Sequence, residues 1–117
     1  MNPYLDQHHN PRLQIQVKLS TWETLDCLID TGFSGGIALP QKAQKKLDSK
    51  PIAFQEYELA DGSHKIFTLY KIESRFNHRQ KLITGFFTES NEGLVGIEFL
   101  TGFYLELNLK RFTISLE

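Results

Sequence analysis

The sequence predicts a mostly β domain, with eight or nine short strands at fairly regular spacing, closed or sandwich-like, and one or two short helices. Three observations carry that expectation. Apolar and polar residues alternate over several runs, at Leu13, Ile15, Val17 and Leu19 and again at Leu105, Leu107 and Leu109. Turn residues separate those runs, with Asp61-Gly62 the strongest hairpin signal among them. Only two stretches have helical composition, and both are short.

Residues 1–12 are polar, include Pro3 and Pro11, and read as an arm; residues 13–117 read as one domain. Leu13 to Ser20 is a strand with one wet face, and Thr21-Trp22-Glu23 reads as a turn. Trp22 is bulky for a turn and is read as exposed, where a partner could meet it. Thr24 to Ile29 is the second strand, its run Cys27-Leu28-Ile29 apolar enough for burial on both faces. Ile37 to Leu39 is a short strand. Pro40 suits the first position of a helix, and Gln41 to Leu47 places Ala43 and Leu47 on one helical face. Lys42, Lys45 and Lys46 are that helix's wet side.

Ile52 to Leu59 and Lys65 to Ile72 flank the turn Ala60-Asp61-Gly62-Ser63, and Ile72–Phe76 with Lys81–Thr88 reads as a further hairpin. Gly93 to Gly96 is a buried strand, and Ile97 to Thr101 a short helix closed by Gly102 in the left-handed region. Leu105–Leu109 and Phe112–Leu116 form a last hairpin. Leu28-Ile29-Asp30 and Leu94-Val95-Gly96 echo each other: two apolar residues, a turn, then an apolar segment and a helix.

The chain of 117 residues is 40% apolar and 23% charged, with a formal net charge of −1. That is ordinary globular composition, and it supplies no basic excess for nucleic acid. Cys27 stands alone, so no intrachain disulfide is expected. The first ten residues lack the basic and apolar regions of a signal peptide, and no apolar run reaches membrane-spanning length. The expectation is a soluble cytoplasmic protein without membrane contact. His8 and His9 lack the spacing of a metal site, and neither metal nor cofactor is expected. Cys27 has no histidine close in sequence and reads as a small buried hydrophobe rather than a nucleophile. His64 is either solvated or in reach of a ligand beside the turn.

One stretch is more specific than the rest: Leu28-Ile29-Asp30-Thr31-Gly32-Phe33-Ser34-Gly35-Gly36. An apolar strand ending in Asp-Thr-Gly places a carboxylate at the mouth of a tight turn. Asp30 could simply cap its own backbone there. Gly32 also lets the backbone come close to the carboxylate and supplies an N–H. Peptide hydrolysis without a metal or a covalent intermediate needs an activated water and a proton for the leaving amine. Two carboxylates sharing one proton supply both, because like charges this close do not both ionise.

The Asp30-Thr31-Gly32 turn, the Asp61-Gly62 hairpin, and Leu94-Val95-Gly96 followed by Phe99-Leu100 occur in that order. In this the chain resembles the retropepsin-like (clan AA) aspartic proteases, the usual example of such a shared proton, and most closely the small bacterial and archaeal type whose motif reads Asp-Thr-Gly-Phe. The resemblance runs from about Leu13 to Leu116. It implies a closed acid-protease barrel, one lobe per chain, and a homodimer in which two copies of Asp30 form the dyad. It implies Asp30, Thr31 and Gly32 as catalytic, with the Thr31 hydroxyl bonding a partner backbone. It places Leu94, Val95 and Gly96 behind the loop as support, and Ala60, Asp61, Gly62 and Ser63 over the cleft as a flap. Phe33, Ser34 and Gly35 would join them in holding an extended peptide.

The match departs from the retroviral pattern at Phe33, where those enzymes have alanine and where a phenyl ring would either pack into the core or narrow a substrate pocket, and at Ser34 and Gly35, where they carry acids that bind the substrate backbone. Glu98 stands where related cellular members often have aspartate. An aspartic endopeptidase is therefore the leading expectation. A peptide-binding module on the same fold with little or no turnover is the alternative, and a plain β-barrel interaction domain is the third.

Overall fold

The computed structural model describes residues 2–117. Ten strands form: β1 (Tyr4–Leu5), β2 (Pro11–Lys18), β3 (Trp22–Ile29), β4 (Ile37–Pro40), β5 (Ala53–Glu58), β6 (His64–Phe76), β7 (Arg79–Thr88), β8 (Gly93–Val95), β9 (Leu105–Asn108) and β10 (Thr113–Leu116). A 3-10 helix spans Gln41–Lys46, and the α-helix α1 spans Ile97–Leu100. None of the helices is long and apolar enough to cross a membrane among the described residues.

Eight strands make one sheet in the order β1-β2-β3-β8-β4-β7-β6-β5. It closes because β2 also pairs with β6, through Gln16 opposite Arg75 and Val17 opposite Ser74. The barrel therefore has six strands, β2, β3, β8, β4, β7 and β6, with β1 and β5 hanging outside the ring. At the seam the Arg75 Nε–H donates to Gln16 Oε1 at 2.6 Å, and the buried Ser74 hydroxyl donates to the Lys81 carbonyl at 2.9 Å. The inward residues of β2 (Leu13, Ile15 and Val17) are fully buried, as their alternation predicts. They meet Cys27, Ile37, Leu39, Ile72, Ile83 and Val95 in a mostly aliphatic core.

All four residues of β4 are buried, because the strand runs between β7 and β8. It is parallel to β7 and antiparallel to β8, while β8 runs parallel to β3. The register places Leu28 opposite Leu94 and Ile29 opposite Val95, so the two echoing segments lie side by side. Lys81 caps α1: its ammonium donates to the carbonyls of Glu98 (3.0 Å), Phe99 (2.7 Å) and Thr101 (2.6 Å). A cation at a helix C-terminus meets unpaired carbonyls there. Gly102 follows with φ of 91°, as its position predicts.

Several expectations are corrected. The segments Lys65–Ile72 and Ile72–Phe76 are one 13-residue strand, β6, whose first part pairs with β5 and whose second part pairs with β7. Two successive partners look like two strands when only local alternation is read. Trp22 opens β3 instead of sitting in a turn, and the Arg75 guanidinium lies 4.0 Å from its ring centroid, so it is half-buried and not exposed. Pro40 ends β4 and precedes a 3-10 helix, not an α-helix; Ala43 is buried and Leu47 packs on the core, as their shared face predicts. Within the segment read as an arm, of which Met1 lies outside the described residues, Tyr4–Leu5 pair with Pro11–Arg12, and His9 stacks on Phe112 with centroids 4.1 Å apart. Arg12 joins that segment to the barrel through Asp6, Asp26 and Glu92, and its hydrogen bonds to Asp26 and Glu92 raise its pKa further.

Candidate active site

β3 ends at Ile29 and delivers Asp30 to the barrel rim, where its N–H donates to the Val95 carbonyl at 2.9 Å. The chain turns at once: the Phe33 N–H returns to the Asp30 carbonyl at 3.1 Å, and the Gly32 N–H donates to Asp30 Oδ1 at 2.9 Å. A Cβ on Gly32 would stand 3.3 Å from that oxygen, which is the close approach a glycine permits. Asp30 is partly exposed, and Thr31 and Gly32 are exposed.

The loop is held from behind by the start of α1. Gly96 N–H donates to the Gly36 carbonyl (3.0 Å), Ile97 N–H to the Phe33 carbonyl (2.8 Å) and Glu98 N–H to the Gly35 carbonyl (3.1 Å). This crossing requires glycine at position 96: a Cβ there would lie 2.4 Å from both the Gly35 and the Phe33 carbonyl oxygens. Glu98 braces the other side, accepting from the Thr84 N–H at 2.9 Å and the Thr84 hydroxyl at 3.1 Å.

In front of Asp30 lies an open cleft of about 630 Å³. Of the residues expected at the site, Asp30, Gly32, Phe33, Ser34 and Ala60 line it, and so does Leu94. Gly35 is buried within the loop, Val95 and Gly96 are buried behind it, and Thr31 is exposed outside the cleft lining. The β5–β6 hairpin brings Glu58, Leu59 and Ala60 to the opposite wall. Its tip is a tight turn: Leu59 N–H donates to the Ser63 carbonyl (2.7 Å), Gly62 N–H to the Leu59 carbonyl (2.9 Å), and Gly62 has φ of 84°. Asp61 caps it by accepting from the Ser63 N–H (2.9 Å) and hydroxyl (2.6 Å), which holds its carboxyl below the usual range. Asp61, Gly62 and Ser63 are exposed beyond the cleft lining. His64 pairs with Glu56 at 3.0 Å on this hairpin.

Sequence reading missed the aromatic part of the cleft: Tyr57, Phe67 and Phe86 line it beside Phe33. Burial raises the Tyr57 pKa, with the Glu98 carboxylate adding to it. The signal was the alternation of the two hairpin strands, which puts Tyr57 and Phe67 on one face, but only the folded barrel sets that face toward Asp30. Burial pushes the Cys27 thiol up to about 12, with Asp26 adding to it, so the thiol is not poised as a nucleophile. Among the described residues no three His, Cys, Asp or Glu side chains are grouped to hold a metal ion.

No family model matches the chain, and no curated protein matches it. Solved structures do: the chain is similar to the crystal structure of a retropepsin-like aspartic protease from Rickettsia conorii, with 14% identity and a TM-score of 0.69. The match covers 99% of this chain and 87% of that one. At this identity the likeness is one of fold, and the chain has the closed, mostly β barrel with two short helices of the retropepsin-like fold.

Proposed function

We propose that this chain is one half of an aspartic endopeptidase, a hydrolase that works as a homodimer. The observation that carries the reading is Asp30: a carboxylate at the end of a barrel strand, bonded by the Gly32 N–H and facing a cleft. In the dimer two copies of Asp30 meet at a two-fold axis, share one proton and activate a water between them. One carboxylate takes the water's proton as its oxygen attacks the peptide carbonyl. The proton held by the pair then passes to the leaving amine. The exposed Thr31 is free to reach across to the second copy. The substrate is an extended peptide in the cleft, and the hairpin tip at residues 60–64 acts as a flap over it. The lone buried thiol fits a reducing compartment such as the cytoplasm.

The test is cleavage of a peptide library between about pH 4 and 7, where carboxylate dyads work. Wild type should cleave and Asp30→Asn should not. No cleavage by wild type, or equal cleavage by both, rejects the reading.

A second reading has its own observation. Neither Ser34, in the cleft, nor Gly35, buried behind it, offers a carboxylate for a substrate backbone. A peptide-binding module that turns over little or nothing fits that feature. Tight peptide binding by dimers that do not cleave would favour it.

A further inference from the structure

Four rings meet between the Asp30 loop and the β5–β6 hairpin. Phe33 stands edge-on to Phe86, with centroids 5.5 Å apart at 85°, and edge-on to Tyr57, 6.0 Å apart at 66°. Tyr57 lies 5.1 Å and Phe67 4.4 Å from Phe86. Phe67 and Phe86 centre a small core separate from the aliphatic one, with Phe33 and Tyr57 packed on it. Edge-on and offset ring pairs are favourable beyond the area they bury.

The backbone around Phe33 is cut to its shape. A Cβ on Gly35 would stand 2.6 Å from the ring's Cζ, and one on Gly96 would stand 2.6 Å from its Cδ2. The rest of the hairpin has little else to hold it. β5 is an edge strand bonded only to β6, and of its residues only Tyr57 is not fully exposed. Phe54 is 73% and Ile66 66% exposed on its other face. Main-chain bonds join β5 to β6, but it is the Tyr57 ring that meets Phe33 of the loop, while the Phe67 ring packs on Phe86, which Phe33 also meets.

We propose that Phe33 is a positioning residue: its ring ties the hairpin to the Asp30 loop, so that the hairpin's place over the cleft is set by this chain's own aromatic seam and not by a bound peptide. Phe33 follows Asp30 by three residues and its carbonyl accepts from the Ile97 N–H, so one residue links the hairpin, the carboxylate loop and the support behind it. The inference goes beyond the protease reading and does not depend on it, because it concerns the hairpin's mobility whether or not the cleft hydrolyses anything.

Backbone amide relaxation of the full chain, unliganded, tests it in wild type, Phe33→Ala, Tyr57→Phe and Tyr57→Ala. In wild type and Tyr57→Phe, which keeps the ring, the Leu59–Ser63 amides should be as ordered as those of the β2–β3 ladder, with order parameters of about 0.85. In both alanine variants they should fall below about 0.6, or show new microsecond-to-millisecond exchange, while the β2–β3 amides stay as they were. Unchanged hairpin amides in the alanine variants overturn the proposal, as does a loss of order spread equally over β2 and β3. If Phe33→Ala does not fold, Tyr57→Ala removes the hairpin ring that meets Phe33 from a half-exposed site and decides by the same comparison.

Discussion

The aliphatic core behind Asp30 and the aromatic seam in front of it hold their strands in different ways. Leu13, Ile15, Val17, Ile37 and Val95 are wholly removed from water, and each of the six barrel strands is bonded on both sides. The hairpin is bonded on one side along β5, is exposed over most of its length, and touches the loop through a few rings. Dense aliphatic packing fixes a carboxylate in place, because interiors at this density give little room to move. An edge hairpin held by a few ring contacts sits at the low end of local stability, the end from which moving parts are drawn. The difference teaches that the order of the barrel rests on burial and pairing on both sides, whereas the order of the hairpin rests on a few rings.

Substitutions can break or sharpen that contrast. The largest effect should come from the chemistry itself: Asp30→Asn should lower peptide cleavage by about a thousandfold or more. Its denaturation midpoint should stay near that of wild type, since the Asp30 side chain is at the rim. Ile15→Ala, in the barrel, should cost roughly 2–4 kcal/mol of unfolding free energy by denaturant titration, through lost burial and the cavity left behind. Gly96→Ala should cost about 1–3 kcal/mol and also loosen the Asp30 loop, because the added methyl meets two carbonyl oxygens of rigid backbone.

Cys27 offers a pH-dependent probe of the same core. Its folded thiol titrates at about 12, above the ordinary value of 9.0. Below that ordinary value both states keep the proton. Between the two values the unfolded chain ionises and the folded one does not. The thiol should therefore lower stability as pH rises through this window, by at most about 1.4 kcal/mol per pH unit, and Cys27→Ala should remove that share of the slope, leaving what Tyr4, Tyr57 and Lys81 contribute. The smallest effect belongs to the hairpin's outer face: Ile66→Ala should change stability by no more than about 0.5 kcal/mol. A cost as large as that of Ile15→Ala would erase the contrast.

Much of the fold could be read from the residues. Strands β2, β3, β5, β8, β9 and β10 follow alternation or apolar runs, and the turn at Asp61-Gly62 follows from its dipeptide. The unity of β6 could not be read, because a strand that leaves one partner for another changes its exposed face midway. Trp22 was misplaced because its cover, Arg75, lies far away in sequence and reaches it only when β6 closes the barrel against β2. At the site, Asp30 and Gly32 were legible as a turn with a carboxylate. Tyr57, Phe67 and Phe86 were not, since nothing local distinguishes a ring that faces a cleft from one that fills a core.

The sequence by itself determined where most of the strands lie, that the chain turns at Asp61-Gly62, and which carboxylate stands at a turn mouth, because those depend on residue period and backbone permission within a few positions. The tertiary structure alone decided that Leu28-Ile29 and Leu94-Val95 lie side by side, that Gly96 passes under the Asp30 loop, and that Phe33 meets the hairpin. Pairing between distant segments follows from the closing of one barrel around one core, and no short stretch of residues contains that constraint.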